Sequence, residues 1–174
     1  KQWALAPTGW RLHDGNDSYD ISLLDKDEEL YEKHKSDTFY KERWIKEDGL
    51  EQKLIVTYSL KYRDYQRQIR SKQLDRATKL VETRPSDITK KNQNDYKRFI
   101  TSTNNTKDGE IADKAIYSLN RDAVTNEEMY DGFYAVCTNL EDDATAITKI
   151  NHRRWEIEEC FKIMKYEFKA RPVY

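Results

Sequence analysis

Four polar residues near the end of the chain, Asn151, Arg154, Glu158 and Lys165, carry the strongest chemical signal in the sequence. A helix turns about 100° per residue, so with Arg154 at zero, Lys165 falls near 20°, Glu158 near 40° and Asn151 near 60°. One stripe then holds a carboxylate between two cations. Ile157, Cys160, Phe161, Met164 and Phe168 fall between about 240° and 340°, an apolar stripe expected to face a core. A carboxylate at the edge of a core can hold a divalent metal. An Arg one turn before it and a Lys two turns after it can take up the charge of phosphate oxygens, so the pattern suits phosphodiester chemistry. Arg154 and Glu158 at i,i+4 equally make an ordinary surface ion pair worth about 0.2–0.5 kcal/mol. Spacing alone does not choose between the two.

These residues need a helix from about His152 to Phe168, ending before Pro172, and elements to hold it. Asp142 or Asp143 is placed to cap a short helix just upstream. Phe133–Thr138, entered through Asp131-Gly132, reads as a strand, as does Lys114–Leu119. Phe39–Lys46 and Lys53–Tyr58 read as two further strands, and Asp48-Gly49 between them signals a hairpin. From Ser59 the period lengthens: Tyr58, Tyr62, Tyr65, Ile69, Ala77, Leu80 and Val81 approximate a 3–4 repeat. That pattern predicts a long amphipathic helix over about 59–83, ending before Pro85. Thr101–Gly109 reads as a loop, and Trp3, Trp10, Tyr19 and Ile21 among Gly and Asp residues read as short strands. The order is strands, helix, strands, helix, which is α+β.

The chain has 174 residues, 36% of them charged and 37% hydrophobic, with a mean hydropathy of −1.05. So polar a stretch buries a thin core, and with Lys1 in first place it is expected to be a piece of something larger. No apolar run is long enough to span a membrane, and no signal peptide opens the sequence. Twelve Tyr and four Trp argue against global disorder. Cys137 and Cys160 lie far apart without motif spacing, which fits a reducing cytoplasm. With His13, His34 and His152 they form no zinc-ligand pattern, and no nucleotide or hydrolase motif occurs. The net charge of −1 hides two opposed fields, an acidic one over 14–51 and a basic one over 61–84. The basic helix has two readings. Arg67, Arg70 and Arg76 track a phosphate backbone, or its cations pair with the acidic segment while it packs against a sheet.

Arg154-x3-Glu158-x6-Lys165 matches the Tyr-x2-Arg-x3-Glu-x6-Lys signature of DDE transposases of bacterial insertion sequences. Its surroundings, RRWEIEECFKIMKYEFKARPVY, resemble that family's catalytic helix and the tail after it. YDGFYAVCTNL resembles the stretch leading into the helix, and YSLKYRDYQRQIRSKQLDRATKLV resembles the basic helix of the insertion region. The resemblance implies a partial ribonuclease H-like fold ending in the catalytic helix. Residues 1–128 would form a β-rich insertion region, and 129–174 the C-terminal part of the catalytic core. It implies that Glu158 is the third acid of the triad and a metal ligand, and that Arg154 and Lys165 contact phosphates of the transposon end. Asn151 stands at the signature Tyr position, where an amide can donate to phosphate but cannot stack on a base. The implied cofactor is Mg²⁺ or Mn²⁺ in a two-ion site of the full-length parent. The implied partners are terminal inverted repeats, target DNA and a second copy in the synaptic complex, in a bacterial cytoplasm at the nucleoid. Some members hold a flipped base with an insertion-region Trp; Trp44 has two readings, a counterpart of that residue or a strand Trp packed in a core, and the second is the commoner one. The family's two aspartates belong upstream, and the settings of Asp20 and Asp131 do not match theirs, so this chain alone is expected to be inactive. The competing expectation is a non-catalytic DNA-binding or assembly module, or a decayed relic.

Overall fold

A computed structural model describes residues 2–12, 15, 17–85, 88, 95–105 and 111–168. His13, Asp14, the 106–109 end of the expected loop and the 169–174 tail lie outside these residues. The fold is α+β, built on a three-stranded antiparallel sheet of β1 (Thr38–Glu47), β2 (Leu50–Ser59) and β5 (Phe133–Thr138), in the order β1-β2-β5. The β1–β2 turn is the Asp48-Gly49 pair, with φ of 51° and 80°. Two consecutive left-handed residues match the right-handed twist of the flanking strands, and Asp and Gly tolerate that conformation. The register pairs Phe39 with Tyr58 and Trp44 with Lys53, while β5 pairs Phe133 with Tyr58 and Cys137 with Leu54. The sheet thus runs across residue 128, joining strands from both regions that the family resemblance separates.

Side chains alternate along these strands and build a different core on each face. One face carries Phe39, Val56 and Tyr58, packed with Trp10, Ile21, Leu24 and Leu60. Trp10 is fully buried, with its ring centroid 5.7 Å from Phe133 and 6.0 Å from Tyr58, and its indole N–H donates to the Ala6 carbonyl at 2.9 Å. The segment that covers this face holds α1 (Gln2–Leu5) and α2 (Glu28–His34). The short strands expected there reduce to two isolated bridges, Trp10 with Tyr19 and Arg11 with Tyr40, and Trp3 lies on a helical turn. The other face carries Ile55, with Tyr40 and Val136 beside it, and is covered by Ala144 and Ile147 of α5 (Ala144–His152).

Between β2 and β5 the chain makes an excursion. α3 (Leu60–Thr83) starts where Ser59 caps it, its hydroxyl accepting from the Tyr62 N–H, and it stops before Pro85 as the sequence requires. Its far half packs Ala77 against Phe99 and Ile100 beside the hairpin of β3 (Ile100–Asn105) and β4 (Ile111–Leu119). β3 replaces the first half of the loop expected at Thr101–Gly109. Its polar residues sit on a two-stranded ribbon, where polarity does not exclude a strand. α4 (Arg121–Glu128) follows, capped by Asn120.

The buried face of α3 is not the aromatic one. Tyr62, Tyr65 and Ile69 are exposed, while Leu60, Arg63, Arg70 and Ala77 are buried. Arg63 donates to Asp25, to Asp64 and to the Tyr58 hydroxyl, and Tyr31 donates to Asp64 at 2.6 Å. The helix is therefore seated on the acidic segment by ion pairs. Partial burial works against the charged form of Asp64, but the bonds from Tyr31 and Arg63 outweigh it and hold its carboxyl below the ordinary carboxylate range. A folded-state pKa below the unfolded one makes ionised Asp64 stabilising above about pH 4. That contribution disappears as the pH falls through the lowered value. Urea midpoints at neutral and acid pH should therefore fall less for Asp64→Asn than for the unchanged chain; equal acid sensitivity would show that Asp64 contributes nothing to it.

Gly132 closes the turn into β5 with φ of 82°. A Cβ there would lie 2.8 Å from the Tyr58 ring, 2.9 Å from the Arg63 Cβ and 2.9 Å from the Ser59 carbonyl oxygen. Gly132→Ala should cost about 3 kcal/mol, from overpacking together with left-handed strain, read as a drop in urea midpoint. A midpoint within error of the parent would mean that the turn can open without loss.

Candidate functional site

The helix that carries the chemical stripe is α6 (Arg154–Tyr166). It is not continuous with the residues before it. α5 begins where the Asp143 carboxylate accepts from the Ala146 N–H, one of the two caps foreseen, and ends at His152. Arg153, with φ of −76° and ψ of −4°, forms the joint. Asn151 therefore lies in the last turn of α5 rather than on the helix of Arg154 and Glu158, so the continuous-wheel placement of Asn151 is corrected. No side chain caps the start of α6, and the chain pivots at Arg153.

The joint nevertheless brings three of the four residues to one place. A groove of about 570 Å³ opens between the α5 side of the sheet and the α5–α6 joint. Ile55, Thr57, Tyr134 and Val136 form its floor, and Asn151, Arg154 and Glu158 line its helical wall. The Asn151 amide donates to the Tyr134 hydroxyl at 3.1 Å, fixing the amide at the mouth. Arg154 and Glu158 are exposed and do not pair with one another within 4.0 Å, so the surface pair allowed by their spacing is absent. Both remain available to a ligand. The volume falls in the range of small-ligand sites, with an apolar floor and a few convergent polar groups. Lys165 is not among the lining residues; it lies further along α6, its ammonium 5.7 Å from the Tyr166 ring centroid.

The apolar stripe of α6 corrects a second expectation. Ile157, Cys160, Phe161, Met164 and Phe168 are all exposed, Phe161 at 64% and Phe168 at 76%. No described residue covers them. β5 likewise has a single partner strand among the described residues, so its edge away from β2 is open among them.

A divalent metal fits this chain only in part. Glu158 is the one carboxylate on the groove wall, and no cluster of three metal-ligating side chains occurs among the described residues. Asp20 is occupied locally, accepting from the Ser22 hydroxyl at 2.7 Å and its N–H at 2.9 Å. Asp131 is buried against Arg70. Neither reaches the groove. The described residues do not complete a two-ion site.

The chain matches no family model, no curated protein and no solved structure.

Of the cations assigned to DNA, Arg70 is corrected: it is buried, and both terminal nitrogens are committed to the Asp131 carboxylate, one at 2.8 Å. A guanidinium satisfied in this way has no face left for phosphate. Arg67 is half exposed, 3.7 Å from both Asp25 and Asp131, and Arg76 is exposed. Trp44 stands on β1, partly exposed and outside the groove. Tyr134, which bonds Asn151, is among the groove residues that sequence reasoning missed. Its alternation with Phe133 on a half-buried strand could have assigned it to the helix-facing side. No helix among the described residues is long and apolar enough to cross a membrane.

Proposed function

We propose that this chain is the C-terminal portion of a DDE transposase. It binds transposon-end DNA, and its full-length parent performs metal-dependent cleavage and strand transfer. The observation that carries the reading is the shared groove of Asn151, Arg154 and Glu158. Asn151 comes from α5 and the other two from α6, and the groove keeps the one-sided grouping that their spacing predicts. Arg154 and the Asn151 amide supply N–H donors to phosphate oxygens, and Glu158 presents a carboxylate beside them. The uncovered stripe of α6 and the open edge of β5 support a place for the rest of a ribonuclease H-like core. In this reading the Mg²⁺ or Mn²⁺ ions belong to the parent, and this chain contributes Glu158 alone. Terminal repeats and target DNA are the substrates, and a second copy is required to hold two ends together at the nucleoid. Lys165 contacts the same backbone further along α6.

The competing reading is a DNA-binding or assembly module, intact or decayed, that never cleaves; the single carboxylate of the groove favours it. The discriminating test is Glu158→Gln in the intact parent, assayed for cleavage of a terminal-repeat duplex and, separately, for binding it. Lost cleavage with binding kept supports the transposase. Unchanged cleavage removes Glu158 from the chemistry and, with it, this reading.

A further inference from the structure

α3 joins two differently equipped ends of the molecule. Tyr62, in its first turn, lines the Glu158 groove. Its last turns line a second cleft of about 390 Å³, formed by Arg76, Lys79, Leu80 and Arg84 with Tyr96 and Lys97 of the 3₁₀ turn Tyr96–Phe99. Four of these residues are cations and none is a carboxylate. The helix itself arranges this. With Arg76 at zero, Lys79, Leu80 and Thr83 lie within about 60° of it, while Asp75 and Glu82 lie about 100° or more round the helix. Arg76, Lys79 and Arg84 are exposed, and none pairs with a carboxylate among the described residues. Cations placed only to offset the helix dipole would be confined to the last turn. Arg76 lies outside it, and Lys97 approaches from another element.

We infer that this cleft is a second docking site for nucleic-acid backbone, held at a set distance from the Glu158 groove by α3. Converging Arg and Lys side chains, with no carboxylate among the described lining residues, suit a run of phosphates, and Tyr96 lines the cleft beside them. From Tyr62 to Leu80 the helix rises about 27 Å at 1.5 Å per residue. At 3.4 Å per nucleotide step, that spans about 8 base pairs. DNA whose scissile phosphate lies in the groove would reach the cleft with its backbone about 8 pairs away. The inference deepens the transposase reading and rests on it for the identity of the polyanion.

The test is fluorescence anisotropy of the full 174-residue chain with labelled duplexes of about 6 and about 16 base pairs over a series of KCl concentrations. The unchanged chain should bind the longer duplex more tightly than the shorter one. Arg76→Ala, Lys79→Ala and Arg84→Ala combined should weaken the longer duplex about tenfold or more near 0.1 M salt. The same variant should reduce the log–log salt slope by about 2 to 3 and abolish the advantage of length. The charge-preserving pair Arg76→Lys and Arg84→Lys should retain most of the slope. All three side chains are exposed, so the circular dichroism spectrum should be unchanged. An unaltered affinity and slope in the triple variant would overturn the cleft and leave the groove reading standing. Equal affinity for a poly-glutamate peptide would overturn the nucleic-acid assignment. If the unchanged chain bound neither duplex, cleft and transposase reading would fall together. A parent still cleaving as Glu158→Gln would remove the transposase reading while leaving the cleft's binding result intact.

Discussion

Arg70→Ala should be the most destabilising single charge removal in the protein, costing about 3–5 kcal/mol. Arg70 and Asp131 side chains are 7% and 4% exposed, so the pair sits almost wholly out of water. Removing the guanidinium leaves a buried carboxylate whose nearest remaining cation, Arg67, stands 3.7 Å away and is half exposed. That is too weak a partner to repay desolvation. The pair also pins the middle of α3 to the turn entering β5, where the Gly132 N–H donates to Gln66 at 2.7 Å. Losing it should loosen β5 and the groove floor together. Urea denaturation measures the effect. Replacing both partners by apolar residues of similar volume, Arg70→Met with Asp131→Leu, should cost less than either single change. A loss below about 0.5 kcal/mol for Arg70→Ala would show that water reaches the pair and that it is only a surface contact.

Glu158→Gln in the intact parent should reduce cleavage by on the order of 10⁴-fold, with DNA affinity changed less than about twofold. The amide keeps the volume and one acceptor oxygen of the carboxylate but carries no charge. Glu158 is exposed and has no ion pair among the described residues, so the urea midpoint should not move. Folding, binding and chemistry are therefore separable at this position. Arg154→Ala should behave differently, weakening binding and cleavage together, because its expected contact is present before and during the reaction. A fall in binding with Glu158→Gln would place the residue among the DNA contacts rather than the reacting groups.

Local chemistry made much of the fold legible. Asp48-Gly49 marked the hairpin, Ser59 and Pro85 bracketed α3, and Asp143 was one of two caps foreseen for α5. Among the described residues three helices escaped, α1, α2 and α4. Asp27 accepts from the N–H groups of Glu29 and Leu30 to start α2, but its neighbours read as one acidic run. Asn120 caps α4 in the same way, on a stretch with few apolar residues to set a period. The buried face of α3 was hidden for a different reason. Hydrophobic periodicity points to Tyr62, Tyr65 and Ile69, whereas the face that packs is set by Arg63 and Arg70 meeting carboxylates distant in the chain. At the site, the stripe of Arg154 and Glu158 was legible as spacing. The break at Arg153, which leaves Asn151 on α5 rather than on the helix of Arg154 and Glu158, was not, because an αR residue at a helix break leaves no mark in composition.

The pairing of β5 with β2 joins residues such as Thr57 and Tyr134, 77 positions apart along the chain. The β1–β2 hairpin closes over two residues and can form soon after it is made, but the strand completing its sheet is synthesised much later. At 5–20 residues per second, roughly 4 to 15 s separate the two on the ribosome. During that interval β2 has one bare edge, which can template pairing with another chain. Closing the long excursion itself adds only a few kcal/mol of loop entropy, because that cost grows with the logarithm of length. The delay therefore bears on yield more than on stability: a nascent chain stalled inside the excursion holds a two-stranded sheet with nothing to finish it, and misassembly begins there.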